Sequence, residues 1–257
     1  MTEAEMRRAV DFVQAMEERS YTRTEPWRWG RAFFHEEFPV KWALNFLRVE
    51  NHGPDVNAAT IAEEAHRVQG GAGLRHRKIR VDDQALGERL VPEFRELGWM
   101  QERLLFMALR NPPAERPAIE VVEMTREELF QARMEVEMNE QHNSAEDARM
   151  LTESRVVTEH ATNLRNLVGL IDGETAGWGE LYSDGRTAQI EDIGTLERFR
   201  NRGVARAVIR GAVDLIRAEG HDFFFLIADA DDWPKALYEK LGFEPIGETY
   251  EFLLRSK

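Results

Sequence analysis

The densest chemistry in the chain lies at Arg200-Asn201-Arg202-Gly203-Val204-Ala205, with Arg206 next in line. The segment stands between an alternating, strand-like stretch (187–196) and a long helical pattern (204–219). A glycine-bearing loop that runs into a helix N-terminus gathers backbone N–H groups with no intrahelical partner. The helix dipole adds partial positive charge at the same end. Arg200, Arg202 and Arg206 can add charge-assisted hydrogen bonds. Together these suit an anion such as a pyrophosphate. A plain strand-to-helix turn is the alternative reading of the same residues.

The pattern Arg-x-x-Gly-x-Ala at 200–205 resembles the acetyl-CoA pyrophosphate loop of the GNAT superfamily of N-acetyltransferases, Gln/Arg-x-x-Gly-x-Gly/Ala. A second stretch, Asp232-Trp233-Pro234-Lys235-Ala236-Leu237-Tyr238-Glu239-Lys240-Leu241-Gly242-Phe243, resembles that family's Leu-Tyr-x-x-x-Gly-Phe segment on the helix after its fifth strand. The likeness covers about residues 118–254, with both motifs in the family's order. It implies acetyl-CoA as co-substrate, bound at Arg200, Asn201, Arg202, Gly203, Val204, Ala205 and Arg206. It also implies that backbone groups at Ile193 and Thr195 pair with the pantetheine arm like an added strand, where strands 187–196 and 223–228 splay apart. The family often has a hydrophobic residue followed two later by proline there. This chain has Thr195 and Glu197, a departure that spares the backbone contacts.

Acetyl transfer to an amine calls for a general base and for an acid to protonate the leaving thiolate. Tyr238 matches the family's tyrosine in the acid role, and a phenol's pKa is near a thiol's. The alternative is an aromatic that only packs. Glu191 is the candidate base, because some family members act through water from a glutamate on this strand. By strand alternation Gln189 and Glu191 share a face with Ile193 and Thr195, while Asp192 points away unless a bulge shifts the register. Asp229, Asp231 and Asp232 could orient the amine, although Asp232 reads better as a turn and helix cap ahead of Trp233-Pro234. The acceptor implied is an amine on a small molecule or a peptide. A CoA-binding module of little catalytic power, regulating a partner, is the alternative function.

These residues need elements to hold them. The second half predicts the order β-α-α-β-β-β-α-β-α-β: a strand 119–124, a helix 125–138 opened by a Thr125/Glu128 capping box, one helix 145–160, then three antiparallel strands at 166–171, 174–182 and 187–196. Asp172-Gly173 is the first hairpin turn. Helix 204–219, strand 223–228, helix 234–241 and strand 249–254 follow. In the first half we expect a helix through Met6 and Met16, an aromatic-rich loop (Tyr21, Trp27, Trp29, Phe33, Phe34), a strand 40–49, a helix 58–68, a turn at Gly70-Gly71-Ala72-Gly73, a strand 79–81, a helix 84–97 and a strand 103–109. Its strand, helix, Leu97-Gly98-Trp99, strand ending resembles the end of the second half. The expectation is therefore an α/β protein with mixed sheet in two domains. Residues 1–111 form an α/β domain that binds no CoA because it lacks the loop; it reads as a degenerate GNAT-like repeat, with an unrelated α/β domain as the alternative. Residues 112–117, rich in proline, form a linker, and 118–257 the catalytic GNAT domain.

Composition bounds the rest. With 42% hydrophobic and 32% charged residues the chain suits a soluble globular protein. The net charge of −13 sits almost wholly in residues 118–257, where 16 Lys+Arg face 28 Asp+Glu. That excludes the basic excess of a nucleic-acid binder and is compatible with steering a cationic acceptor. There is no membrane-length apolar run and no signal-like N-terminus, so we expect a cytoplasmic protein without a membrane role. The family's habits make a homodimer an option. No cysteine is present, and the seven histidines (His35, His52, His66, His76, His142, His160, His221) lack metal-ligand spacing, so no metal is expected. No Gly-x-Ser-x-Gly elbow occurs.

Overall fold

The amphipathic N-terminal run folds into α1 (Thr2–Glu17), burying Ala9, Phe12 and Val13. The computed structural model describes residues 2–51, 53, 56–112, 118–139, 141 and 143–255. His52, His142 and most of the expected linker, 113–117, lie outside the described residues.

The aromatic-rich stretch is not a loop. It is a hairpin of β1 (Arg23–Trp27) and β2 (Gly30–Phe34), paired antiparallel from Arg23–Phe34 to Trp27–Gly30. Trp27, Phe33 and Phe34 are buried strand residues, as the β-preference of aromatics allows. The expected strand 40–49 is mostly absent. A 3₁₀ turn at Trp42–Leu44 precedes a short β3 (Phe46–Val49). Buried Asn45 explains the break: its amide donates to the carbonyls of Phe38 (2.8 Å) and Lys41 (2.9 Å) and accepts from the His35 N–H (3.0 Å). Such local side-chain bonds compete with strand pairing. Next come α2 (Ala58–Gly71), β4 (His76–Val81), α3 (Gln84–Glu96) and β5 (Met100–Leu109). Gly70 and Gly71 finish α2, so the expected turn begins only at Ala72 and Gly73.

In the second half β6 (Glu120–Met124) leads to α4 (Arg126–Asn139) through the expected capping box. The Glu128 N–H donates to Thr125 Oγ1 (3.2 Å) and the Thr125 N–H to Glu128 Oε2 (2.7 Å). The expected single helix 145–160 is two, α5 (Ala145–Glu153) and α6 (Arg155–Ala161). They part at Ser154, whose hydroxyl turns back onto the Leu151 carbonyl at 2.7 Å. The meander β7 (Asn163–Ile171), β8 (Glu174–Ser183) and β9 (Thr187–Thr195) turns first at Asp172 and Gly173, both with positive φ as a two-residue hairpin of this type requires. Then come α7 (Val204–Ala218), β10 (Phe223–Asp229), α8 (Pro234–Lys240) and β11 (Phe243–Arg255). β11 starts well before the expected Thr249, because left-handed Gly242 (φ +87°) turns the chain straight from α8 into it.

Two compact units result, and neither is continuous in sequence. One comprises Met1–Arg19, Phe106–Ile227 and Trp233–Ile246; the other comprises Ser20–Leu105, Ala228–Asp232 and Gly247–Lys257. This differs from the expected cut at 112–117. Burial decides membership: α1 belongs with the second half because Phe12 meets Phe225 edge-on at 5.7 Å in a core with Phe106, Tyr182 and Phe223. In this unit the strand order is β5-β10-β9-β8-β7-β6, with β10 parallel to β9 and the meander antiparallel. α7 lies on one face, so close that a Cβ on Gly179 would stand 2.9 Å from Val208. The other unit runs β1-β2-β3-β4-β11-β5, with β3 parallel to β4. Its core gathers Trp27, Ile61, Ile79, Phe94, Tyr250 and Phe252. Each half of the chain thus repeats one succession: three antiparallel strands, a helix, a parallel strand, a helix, and a long final strand divided between the units.

Candidate active site

Gly203 is the N-cap of α7 at φ +86°, and Asn201 also has positive φ (62°). The backbone alone demands glycine at 203, since nothing stands within 4 Å of where a Cβ would be. No side chain caps α7. Its first-turn N–H groups are therefore open to an outside acceptor. Val204 anchors the turn, lying 2.8 Å from the Cβ position of Gly177 on β8. Arg200, Arg202 and Arg206 are exposed around the loop, and Arg202 stacks over Phe199 at 5.6 Å. Arg206, Arg210 and Lys240 also line a cavity of about 150 Å³ between α7 and α8. An uncapped helix end, two left-handed residues and exposed arginines fit a diphosphate.

The loop is fed by β9. Its parallel pairing with β10 runs from Thr187–Phe223 to Ile190–Leu226, and both strands continue beyond it. Glu191, Ile193 and Thr195 all lie on the stretch of β9 past that last pair. The opposite edge of β9 carries a bulge: Glu180 faces Glu191, but Trp178 faces Gly194, and Asp192 takes φ +52°. The expected faces therefore need correction. Gln189 and Glu191 stay together, opposite Tyr182 and Glu180, but past the bulge it is Gly194 that shares their face. Thr195, opposite Gly177, turns to the α7 side. Asp192 does not point away, because the extra residue offsets the alternation.

A charged cluster covers this face, and its members come from three other elements. Buried Glu180 accepts from Arg133 Nη2 (2.5 Å), Arg155 Nη1 (3.3 Å) and the Tyr182 hydroxyl. Asp192 accepts from Arg155 Nη2 (2.7 Å) and Trp178 Nε1 (3.1 Å), with Arg133 at 3.7 Å. Glu191 accepts from Gln189 Nε2 at 2.7 Å. Burial pushes the Glu191 carboxyl up to about 7, against the Gln189 hydrogen bond and with help from the negative charges of Asp192 and Glu180. Burial likewise raises the Tyr182 phenol well above its ordinary value. It opposes the charge on Arg155, but Asp192 and Glu180 more than offset that and hold the guanidinium protonated. Two guanidinium groups thus balance Glu180 and Asp192, and Glu191 is the carboxyl in excess. Sequence reasoning missed Arg133, Arg155 and Glu180. Their partners are distant in sequence, and no local pattern announces them.

Tyr238 is half-buried on α8, its ring edge-on to Phe243 at 6.4 Å. The aspartates at the end of β10 and just past it are engaged in a turn. Asp229 Oδ1 accepts from the Asp231 N–H (2.9 Å), and Asp231 pairs with Arg103 (2.8 Å). The N-cap of α8 is Trp233 and not the expected Asp232, with no side-chain cap bond.

Residues 122–243 match the Acetyltransferase (GNAT) family. This part of the chain is a GNAT acetyltransferase domain. Members of this family are acyltransferases that use acetyl-CoA as co-substrate. The uncharacterized N-acetyltransferase CgeE of Bacillus subtilis (strain 168) is 30% identical over 70 residues, 26% of this chain and 27% of that relative, so the likeness spans about a quarter of either protein. Two solved structures share the fold over nearly the whole length. A functionally unknown conserved protein from Staphylococcus epidermidis ATCC 12228 superposes with TM-score 0.69 at 16% identity, covering 88% of this chain and 91% of the other. A GCN5-related N-acetyltransferase from Kribbella flavida gives TM-score 0.60 at 18% identity, covering 96% and 94%. The GNAT fold thus extends past the motifs into the first half. Among the described residues no cluster of His, Cys, Asp and Glu could hold a metal, and no helix is long and apolar enough to cross a membrane.

Proposed function

We propose that the protein transfers the acetyl group of acetyl-CoA directly to the primary amine of a small molecule or peptide, with Glu191 as general base and Tyr238 as general acid. The observation that carries this reading is the Glu191 carboxyl, poised near 7 on the part of β9 that has left its parallel partner. A base with that pKa is half ionised near neutrality and still basic enough to accept a proton. Acetyl-CoA supplies the activated thioester. Glu191 takes a proton from the acceptor's ammonium, directly or through water, which frees the nitrogen lone pair. The amine nitrogen forms the new C–N bond as the C–S bond breaks, the Tyr238 hydroxyl delivers its proton to the departing sulfur, and the surplus proton on the nitrogen passes through water to the resulting tyrosinate, which restores the phenol. Arg200, Asn201, Arg202, Gly203, Val204, Ala205 and Arg206 hold the diphosphate, and the backbone at Ile193 and Thr195 pairs with the pantetheine arm. The negative charge of the second half favours a cationic acceptor.

The first repeat is read as non-binding, on two observations. The N-terminus of α2, which corresponds to that of α7, is filled by the chain's own groups: Asn57 Oδ1 accepts from the Thr60 N–H (3.0 Å) and Glu93 Oε2 from the Ala58 N–H (2.8 Å). A carboxylate thus sits where a phosphate would. In addition, β3 and β4 stay paired to their last residues, Val49 and Val81. The test of the whole reading is an acceptor screen with acetyl-CoA, followed by thiol release. Turnover with amines, lost in Glu191→Gln, supports it; binding of acetyl-CoA with no turnover on any amine class points to a regulatory module.

A further inference from the structure

Three non-glycine residues have positive φ among those described: Asp172, Asp192 and Asn201. Asp172 and Asn201 do so in exposed turns. Asp192 does so inside a strand, at the bulge, with both carboxylate oxygens engaged. Oδ1 is held by Arg155 of α6 at 2.7 Å and Oδ2 by the Trp178 indole of β8 at 3.1 Å, with Arg133 of α4 at 3.7 Å. Gly194 completes the arrangement: a Cβ there would stand 2.9 Å from Trp178 Cε2, so its absence lets the indole lie against β9.

We propose that Asp192 is a positioning residue for acetyl transfer: clamped by Arg155 and Trp178, it holds the β9 bulge that turns the Glu191 carboxylate and its own onto one face of the sheet. The inference rests on the reading of Glu191 as the base. In an unbulged strand two adjacent carboxylates would point to opposite faces. With the bulge held, Asp192 stands beside Glu191 and its charge disfavours ionisation of the base. The groups that act on Glu191 are Asp192 and Gln189 on its own strand and Glu180 and Tyr182 on β8, while Arg133 on α4 and Arg155 on α6 bind Glu180 and Asp192. Neutralising Asp192 removes one like charge and leaves Arg155 with one carboxylate fewer. Both changes lower the pKa of Glu191.

The experiment is a pH profile of turnover for wild type, Asp192→Asn, Trp178→Phe, Arg155→Lys and Glu191→Gln, with acetyl-CoA affinity measured by calorimetry on each. For Asp192→Asn the acid limb should move down by about one pH unit, and the plateau kcat should fall about tenfold, with donor affinity unchanged. Trp178→Phe removes one bond and no charge, so it should lower the plateau and leave the limb in place. Arg155→Lys, which keeps the charge but loosens the fork, should also lower the plateau. If Glu191→Gln abolishes the limb while Asp192→Asn keeps wild-type limb and plateau, the positioning role is overturned and the base stands. If Glu191→Gln retains wild-type turnover, the base reading itself has failed. Should Asp192→Asn not fold, wild-type plateaus in both Trp178→Phe and Arg155→Lys would overturn the proposal by themselves.

Discussion

At the scale of single residues, the Glu191 carboxyl makes the sharpest prediction. Its folded pKa of about 7 stands above the usual 4.5. As a base it acts ionised, so kcat/KM should rise with pH through about 7 and level off above. Glu191→Gln should lose that limb and lower turnover by about 10²–10⁴-fold. The same shift bears on stability. A carboxyl with a raised folded pKa binds more protons folded than unfolded, so its contribution is fully present below the unfolded pKa and is lost as pH rises through about 7. Glu191→Gln should therefore raise Tm at about pH 8, with the difference shrinking toward about pH 5; thermal scans at the two pH values check this. For Tyr238→Phe we expect kcat to fall by about 10²–10⁴-fold with donor KM nearly constant, the pattern of an interaction made in the transition state. Equal turnover from about pH 6 to about 9 would leave Tyr238 as a ring packed on Phe243.

At the scale of elements, one glycine shapes the loop and another the close approach of β8 to β9. Gly203→Ala puts a Cβ on a left-handed residue, at a cost of about 1–2 kcal/mol, although no neighbour obstructs it. Gly203→Glu adds a negative charge at the α7 N-terminus as well, and acetyl-CoA affinity should drop by about 100-fold or more. Unchanged affinity by calorimetry in the folded variant would remove the loop assignment. Gly177→Ala drives a Cβ to within 2.4 Å of the Gly194 carbonyl and 2.8 Å of Val204. Because the first obstacle is backbone, β8 and β9 must shift apart, and denaturant unfolding should show a loss of about 1–3 kcal/mol.

At the scale of the whole molecule, the tandem architecture predicts stoichiometry. The α7 N-terminus is uncapped, whereas that of α2 is occupied by Asn57 and Glu93. One acetyl-CoA per chain is expected in a calorimetric titration; two would mean that the first repeat is an active site too. The discontinuous units add a second expectation. Because β5 and β11 are each divided between the units, a chain cut after Leu109 or begun at Ala118 strips strand from both. Neither fragment should show the cooperative thermal transition of the full chain, which circular dichroism would test.

The sequence by itself determined the elements that carry the proposed donor site. The helical period of 204–218, the glycines at 203 and 242, the Asp172-Gly173 hairpin and the Thr125/Glu128 box are local signals, and local physics suffices to read them. The loop proposed for acetyl-CoA is legible for the same reason, since its chemistry lies in consecutive backbone groups. The tertiary structure alone decided the rest. The aromatic stretch 23–34 became a hairpin once strands were there to pair with it, and Asn45 broke the expected strand by bonding residues that precede it. The face of Asp192 depended on a bulge that alternation cannot foresee. The pKa of Glu191 depended on burial and on which carboxylates the arginines of α4 and α6 had already claimed. Unit membership followed burial, with α1 packed in a core of residues far from it in the chain. Periodicity encodes what a residue does to its neighbours in sequence; charge balance and strand exchange are sums over neighbours in space.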